Sequence, residues 1–117
     1  MTNDKFNLEE RTAVFAENVI KTCKMVKLST ISQPVVSQLI RSSTSLGANY
    51  REANGASSKK DFKNKIFICK KEAKETEYWL RILTEADDTI KLKCQNLLLE
   101  SHELTLIFSK IAHTCNQ

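Results

Sequence analysis

The side chains of this sequence that could do covalent or metal chemistry are four cysteines, two histidines and a run of serines. None stands in the setting such chemistry requires. A nucleophilic cysteine needs a cationic or histidine neighbour that holds it as the thiolate, whereas Cys69 and Cys94 fall on apolar helical seams, where burial keeps a thiol protonated. The serines from Ser42 to Ser45 have no histidine near them in the chain and no Gly-x-Ser-x-Gly elbow, so close packing is their expected role. His102 and His113 are eleven residues apart and return to nearly the same helical angle. Neither has a carboxylate or thiol three or four residues away, and the Glu-x-x-His pairs of a di-metal bundle do not occur. With glycine only at Gly47 and Gly55, neither glycine-rich phosphate loop can form. The expectation is a protein without catalytic residues, metal or cofactor.

The chemistry that is present is cationic. Arg41 to Lys74 holds nine basic residues against Glu52, Asp61 and Glu72, a net of +6, while Met1–Ile40 carries +1 and Glu75–Gln117 carries −3, together the +4 of the whole chain. Within the block, Lys59, Lys63, Lys70 and Lys74 follow helical spacings that keep them on one side, with Lys60 and Lys71 flanking them. Such a face neutralises phosphates and releases their counterions. With Arg41 and Arg51 these six lysines are the candidate contacts to an RNA or DNA backbone. The alternative is a solvated helix face, or one that docks an acidic partner protein. Tyr50, Tyr78 and Trp79 could stack on bases, although packing in a core or an interface is their expected role.

Four helices must position these groups. The chain has two glycines and one proline and is 41% apolar, too few breakers for a sandwich that turns every 8–12 residues or so. The first helix is expected over about 8–28, opened by Asn7 with Glu10 three residues on. Its seam is Thr12, Ala16, Val19, Cys23 and Val26, widened by Phe15 and Ile20. Ser32 is expected to cap a second helix over 33–54, with Pro34 in its first turn. Its face centres on small residues, and Gly47 there implies the close approach of a neighbouring backbone. Gly55 is expected to end it in the left-handed conformation. Ser58 and Asp61 open a third helix over 59–86, with the seam Phe62, Ile66, Cys69, Ala73, Thr76, Leu80 and Leu83. Oppositely charged pairs such as Asp61 with Lys65, Lys71 with Glu75 and Glu77 with Arg81 are expected along its outside.

The last helix, expected over 89–114 after a cap at Asp87-Asp88-Thr89, has the seam Ile90, Cys94, Leu97, Ser101, Leu104, Phe108, Ile111 and Cys115. Leu92, Leu99 and Leu106 recur every seventh residue nearly opposite that seam. A row of that kind marks an interface. Short connections make the whole a single all-α domain over 1–117, an up-down-up-down four-helix bundle. With no apolar run long enough to span a bilayer, no leader and no C-x-x-C pair, a cytoplasmic protein with buried free thiols and no membrane contact is expected.

The second and third helices carry a resemblance. Arg41-Ser42-Ser43-Thr44-Ser45-Leu46-Gly47-Ala48-Asn49-Tyr50-Arg51-Glu52-Ala53, then Ser58-Lys59-Lys60-Asp61-Phe62, then Glu75-Thr76-Glu77-Tyr78-Trp79-Leu80, resembles the 23S rRNA-intervening sequence proteins. That pattern is R-S-x-x-S-[IL]-x-x-N-[IY]-x-E, a polar turn, a D-F helix start and E-x-E-x-[WQ]-L. Arg41, Ser45, Asn49, Glu52, Asp61, Phe62, Glu75, Glu77 and Trp79 occupy its positions. Where the family usually reads N-I-A-E-G, this chain reads Asn49-Tyr50-Arg51-Glu52-Ala53 and delays its glycine to Gly55. The resemblance implies a four-helix bundle assembled as a ring-shaped homopentamer, with no enzymatic activity or function established for the family. It also implies kinship with the small basic accessory protein of diversity-generating retroelements.

Overall fold

The computed structural model describes residues 7–116, which form α1 (Leu8–Cys23), α2 (Ser32–Asn54), α3 (Lys59–Ala86) and α4 (Lys91–Cys115), the last preceded by one 3-10 turn at Asp88–Ile90. No strand occurs among the described residues. Residues 1–6 and 117 of the expected domain lie outside them. The helix starts follow local chemistry. The Asn7 side chain accepts the Glu10 N–H at 3.3 Å, and the Ser58 hydroxyl accepts that of Asp61 at 3.0 Å. Asp87 accepts the Thr89 N–H at 3.0 Å, shaping the turn into α4.

Several expectations at the helix ends differ, among them the start of α4, which is Lys91 and not 89. α1 stops at Cys23 instead of near Leu28, because the Met25 and Val26 N–H groups bond the Thr22 and Cys23 carbonyls, three residues back, and tighten the chain into a turn. Val26 is buried all the same. Ser32 does not cap α2: it is buried, its hydroxyl donates to the Lys27 carbonyl at 2.9 Å and accepts the Ser29 N–H at 2.9 Å. The capping role falls to the Ser29 hydroxyl, which accepts the N–H groups of Ile31 and Ser32 at 3.2 and 3.0 Å. At the far end of α2, Gly55 has φ −99°, not the left-handed value expected. A right-handed turn closes the helix there, with Gly55 and Ala56 donating to Glu52 and Ala53.

α3 is the central helix, packed extensively on α2 and on α4, while α1 lies on α2 and meets α4 only sparsely. Connections at 24–31, 55–58 and 87–90 leave successive helices antiparallel. The core joins all four through Phe15, Val19, Leu39, Leu46, Ile66, Leu80, Leu83, Leu104 and Phe108. Close approach at Gly47 is realised: a Cβ there would lie 3.2 Å from Thr12 Oγ1, which is itself fixed by a 2.7 Å bond to the Leu8 carbonyl. The small residues of α2 therefore set the distance between α1 and α2.

Candidate nucleic-acid interface

The seam of α3 turns Ile66, Cys69, Ala73, Thr76, Leu80 and Leu83 inward. At 100° per residue Lys60, Lys71 and Lys74 fall opposite that seam, with Lys59, Lys63 and Lys70 along its flank. Lys59, Lys60, Lys71 and Lys74 are exposed and Lys63 and Lys70 half-buried. None of the six takes part in an ion pair among the described residues.

Two of the three acids of the basic block, Glu72 and Glu52, pair across to another helix. Glu72, whose side chain is only 8% exposed, receives the Arg41 guanidinium at 3.1 Å. Arg41 also pairs with Glu75, and Trp79 Nε1 donates to the same Glu75 carboxylate at 3.0 Å. The Trp79 N–H first, and then Arg41, hold the Glu75 carboxyl below its ordinary value. Beneath this cluster the Thr76 hydroxyl lies 2.9 Å from that of Ser42. Glu52 accepts Lys65 Nζ at 2.8 Å. Of the carboxylates expected to pair along α3, Glu75 and Glu77 reach across to other helices, Glu77 facing His102 Nδ1 at 3.5 Å, while Asp61 still acts on Lys65.

Arg41 and Arg51, unlike the six lysines, are taken up in ion pairs. Arg41 is the cation of the α2–α3 clasp, and Arg51 turns toward α1, 3.4 Å from Glu9, which also accepts the Asn54 side chain at 2.8 Å. The motif positions have similar work to do. Arg41, Glu75 and Trp79 form one cluster, Asn49 bonds the Ser45 carbonyl and hydroxyl at 2.9 and 3.0 Å, Phe62 packs on the core, and Glu52 joins α2 to α3.

Of the three rings considered for stacking, Tyr50 packs edge-on against Phe108 at 5.5 Å and Trp79 is half-buried in the clasp. Tyr78 differs, being 55% exposed. Sequence reasoning missed Phe67, which is 38% exposed on the lysine side with Lys63 Nζ 5.9 Å from its ring centre. Its position four residues after Lys63 and three before Lys70 was the available signal.

Leu92, Leu99 and Leu106 stand 77, 71 and 56% exposed on α4. Leu98 borders two neighbouring recesses. One is lined by Lys74, Glu77, Tyr78 and Arg81; the other by Glu77, Gln95, Leu99 and His102. The lysine face and the leucine row therefore share an edge. Burial pushes the Cys23 thiol up to about 11 and Cys69 to about 12, and also raises Cys94. All four cysteines are unpaired. No group of three or more His, Cys, Asp or Glu placed to hold a metal occurs among the described residues. No helix among them is long and apolar enough to cross a membrane.

A family model described as "23S rRNA-intervening sequence protein" matches residues 5–110. The chain is also similar to a crystal structure of a protein of unknown function from the S23 ribosomal protein family of Bacteroides thetaiotaomicron VPI-5482. The two are 33% identical over 89% of this chain and 96% of that one, with a TM-score of 0.79. No curated protein matches.

Proposed function

The chain belongs to the 23S rRNA-intervening sequence protein family, and we propose that it acts without catalysis, as a self-assembling four-helix bundle that holds RNA or DNA backbones through the outer face of α3. The observation that carries this reading is the separation of charge. Arg41 and Lys65 pair with the acids Glu52, Glu72 and Glu75 of the same chain, leaving six lysines along the outside of α3 with no ion-pair partner among the described residues. Contacts of this kind go to phosphates and do not read sequence.

Assembly completes the reading. The exposed leucine row of α4 supplies one patch of a cyclic contact, which in a ring meets a different patch on the next copy. A homopentamer, kinship with the accessory protein of diversity-generating retroelements and a cytoplasmic setting, which suits unpaired cysteines, belong to the same proposal. Fluorescence anisotropy with a structured RNA tests the binding. Affinity should fall steeply as salt rises from about 50 to about 200 mM, and charge reversal of Lys63, Lys70 and Lys74 to Glu should abolish it. Absence of binding at the lower salt overturns the reading. Retained capture of an acidic protein after nuclease treatment, lost in the same triple variant, would replace it with the protein-docking alternative. Light scattering that gives a stable monomer at micromolar concentration removes the ring.

A further inference from the structure

We infer that the outer face of α3 is built for single-stranded nucleic acid, its exposed rings Phe67 and Tyr78 stacking on unpaired bases while the surrounding lysines hold the phosphates. The inference rests on the phosphate-binding reading above and narrows it to one class of strand.

Eleven residues separate the two rings, a spacing that returns a helix to within about 20° of the same direction. Phe67 and Tyr78 therefore lie on one line along α3. Lys60 and Lys63 precede Phe67, Lys70, Lys71 and Lys74 stand between the rings, and Arg81 follows Tyr78. At a rise of about 1.5 Å per residue the rings are about 16 Å apart. That distance spans about five nucleotides at the ~3.4 Å spacing of a stacked strand, and fewer when the strand is extended. Single-strand sites of roughly 4–16 nucleotides fit this length.

A duplex offers phosphates but hides the faces of its bases, so exposed rings add nothing to its binding. Unpaired bases present those faces, and every base has one. Lys63 Nζ stands 5.9 Å from the Phe67 ring centre. Tyr78 is also held in place, edge-on to Trp79 at 5.0 Å and 72°, with Trp79 itself tied to Glu75. A ring fixed in this way loses little freedom when a base stacks on it. Beside Tyr78 the recess shared with α4 offers Leu98 as an apolar floor and Lys74 and Arg81 as cations. Its one acid, Glu77, faces His102.

The test compares an unstructured oligonucleotide with the same oligonucleotide annealed to its complement, by anisotropy at low salt. The wild type should prefer the single strand. Phe67→Ala and Tyr78→Ala should each weaken single-strand binding by roughly five- to a hundredfold, leave duplex binding and its salt dependence unchanged, and keep the thermal midpoint. Tyr78→Phe should restore the preference. Equal affinity for both forms, or alanine variants that bind the single strand as the wild type does, overturns this inference and leaves the phosphate-binding reading standing. No binding of either form overturns both.

Discussion

Arg41 stands at the head of the basic block, yet its charge serves the fold. Without it the nearly buried Glu72 carboxylate has no cation, and an unsatisfied buried charged acceptor costs about 1–3 kcal/mol or more. Arg41→Ala should therefore destabilise the protein by that order in urea unfolding, whereas Lys63→Ala or Lys71→Ala should stay within about 0.5 kcal/mol. The cluster also has a pH signature. Because the Trp79 N–H and Arg41 lower the Glu75 carboxyl from 4.5, its contribution is fully present above pH 4.5, the value of an unperturbed glutamate. It is lost as pH falls from there through the lowered folded value. The thermal midpoint should drop on acidification across that window, and Glu75→Gln should flatten the drop; an unchanged pH profile would show that the cluster carries no stability.

Among the helices α1 is the least held, since it lies on α2 and meets α4 only sparsely, with Arg11 pairing there to Glu100 at 2.8 Å and Glu103 at 3.3 Å. Amide exchange should proceed through smaller openings in α1 than in α3, and Arg11→Ala should widen the gap; equal protection of both helices contradicts this. The helices themselves were largely legible in the residues. α3 begins and ends where Ser58 and the Asp87-Asp88-Thr89 break place it, because a side-chain cap and a periodic seam agree there. The end of α1 is not legible, because Val26 continues the seam while lying beyond the helix, and burial alone does not distinguish a helical turn from a tight one. The cap of α2 is ambiguous in the residues, because two serines three residues apart can exchange the roles of cap and loop anchor. The candidate interface was legible in part. The lysine spacing is visible, but the engagement of Arg41 and Arg51 depends on contacts with Glu72, Glu75 and Glu9 that span the chain, and Phe67 sits between the apolar Ile66 and Ile68.

At the scale of the whole molecule, 44 × 31 × 20 Å, the border at Leu98 ties the two proposed surfaces together. A copy that docks on Leu99 comes to lie beside the lysine face of the first, and since each chain carries a net +4, like charges oppose the meeting. A polyanion lying along α3 removes that opposition, and whatever factor it adds to self-association must return as the same factor in its own affinity. Assembly and ligand are then two sides of one equilibrium. The mass measured by light scattering should rise on adding a short polyanion at low salt and fall back when Leu99 is changed to Glu; a mass indifferent to the polyanion would show that the two surfaces act independently. A protein coupled in this way is a condenser: scarce and scattered, it stays apart, and a strand that recruits the first copy lowers the threshold for the next.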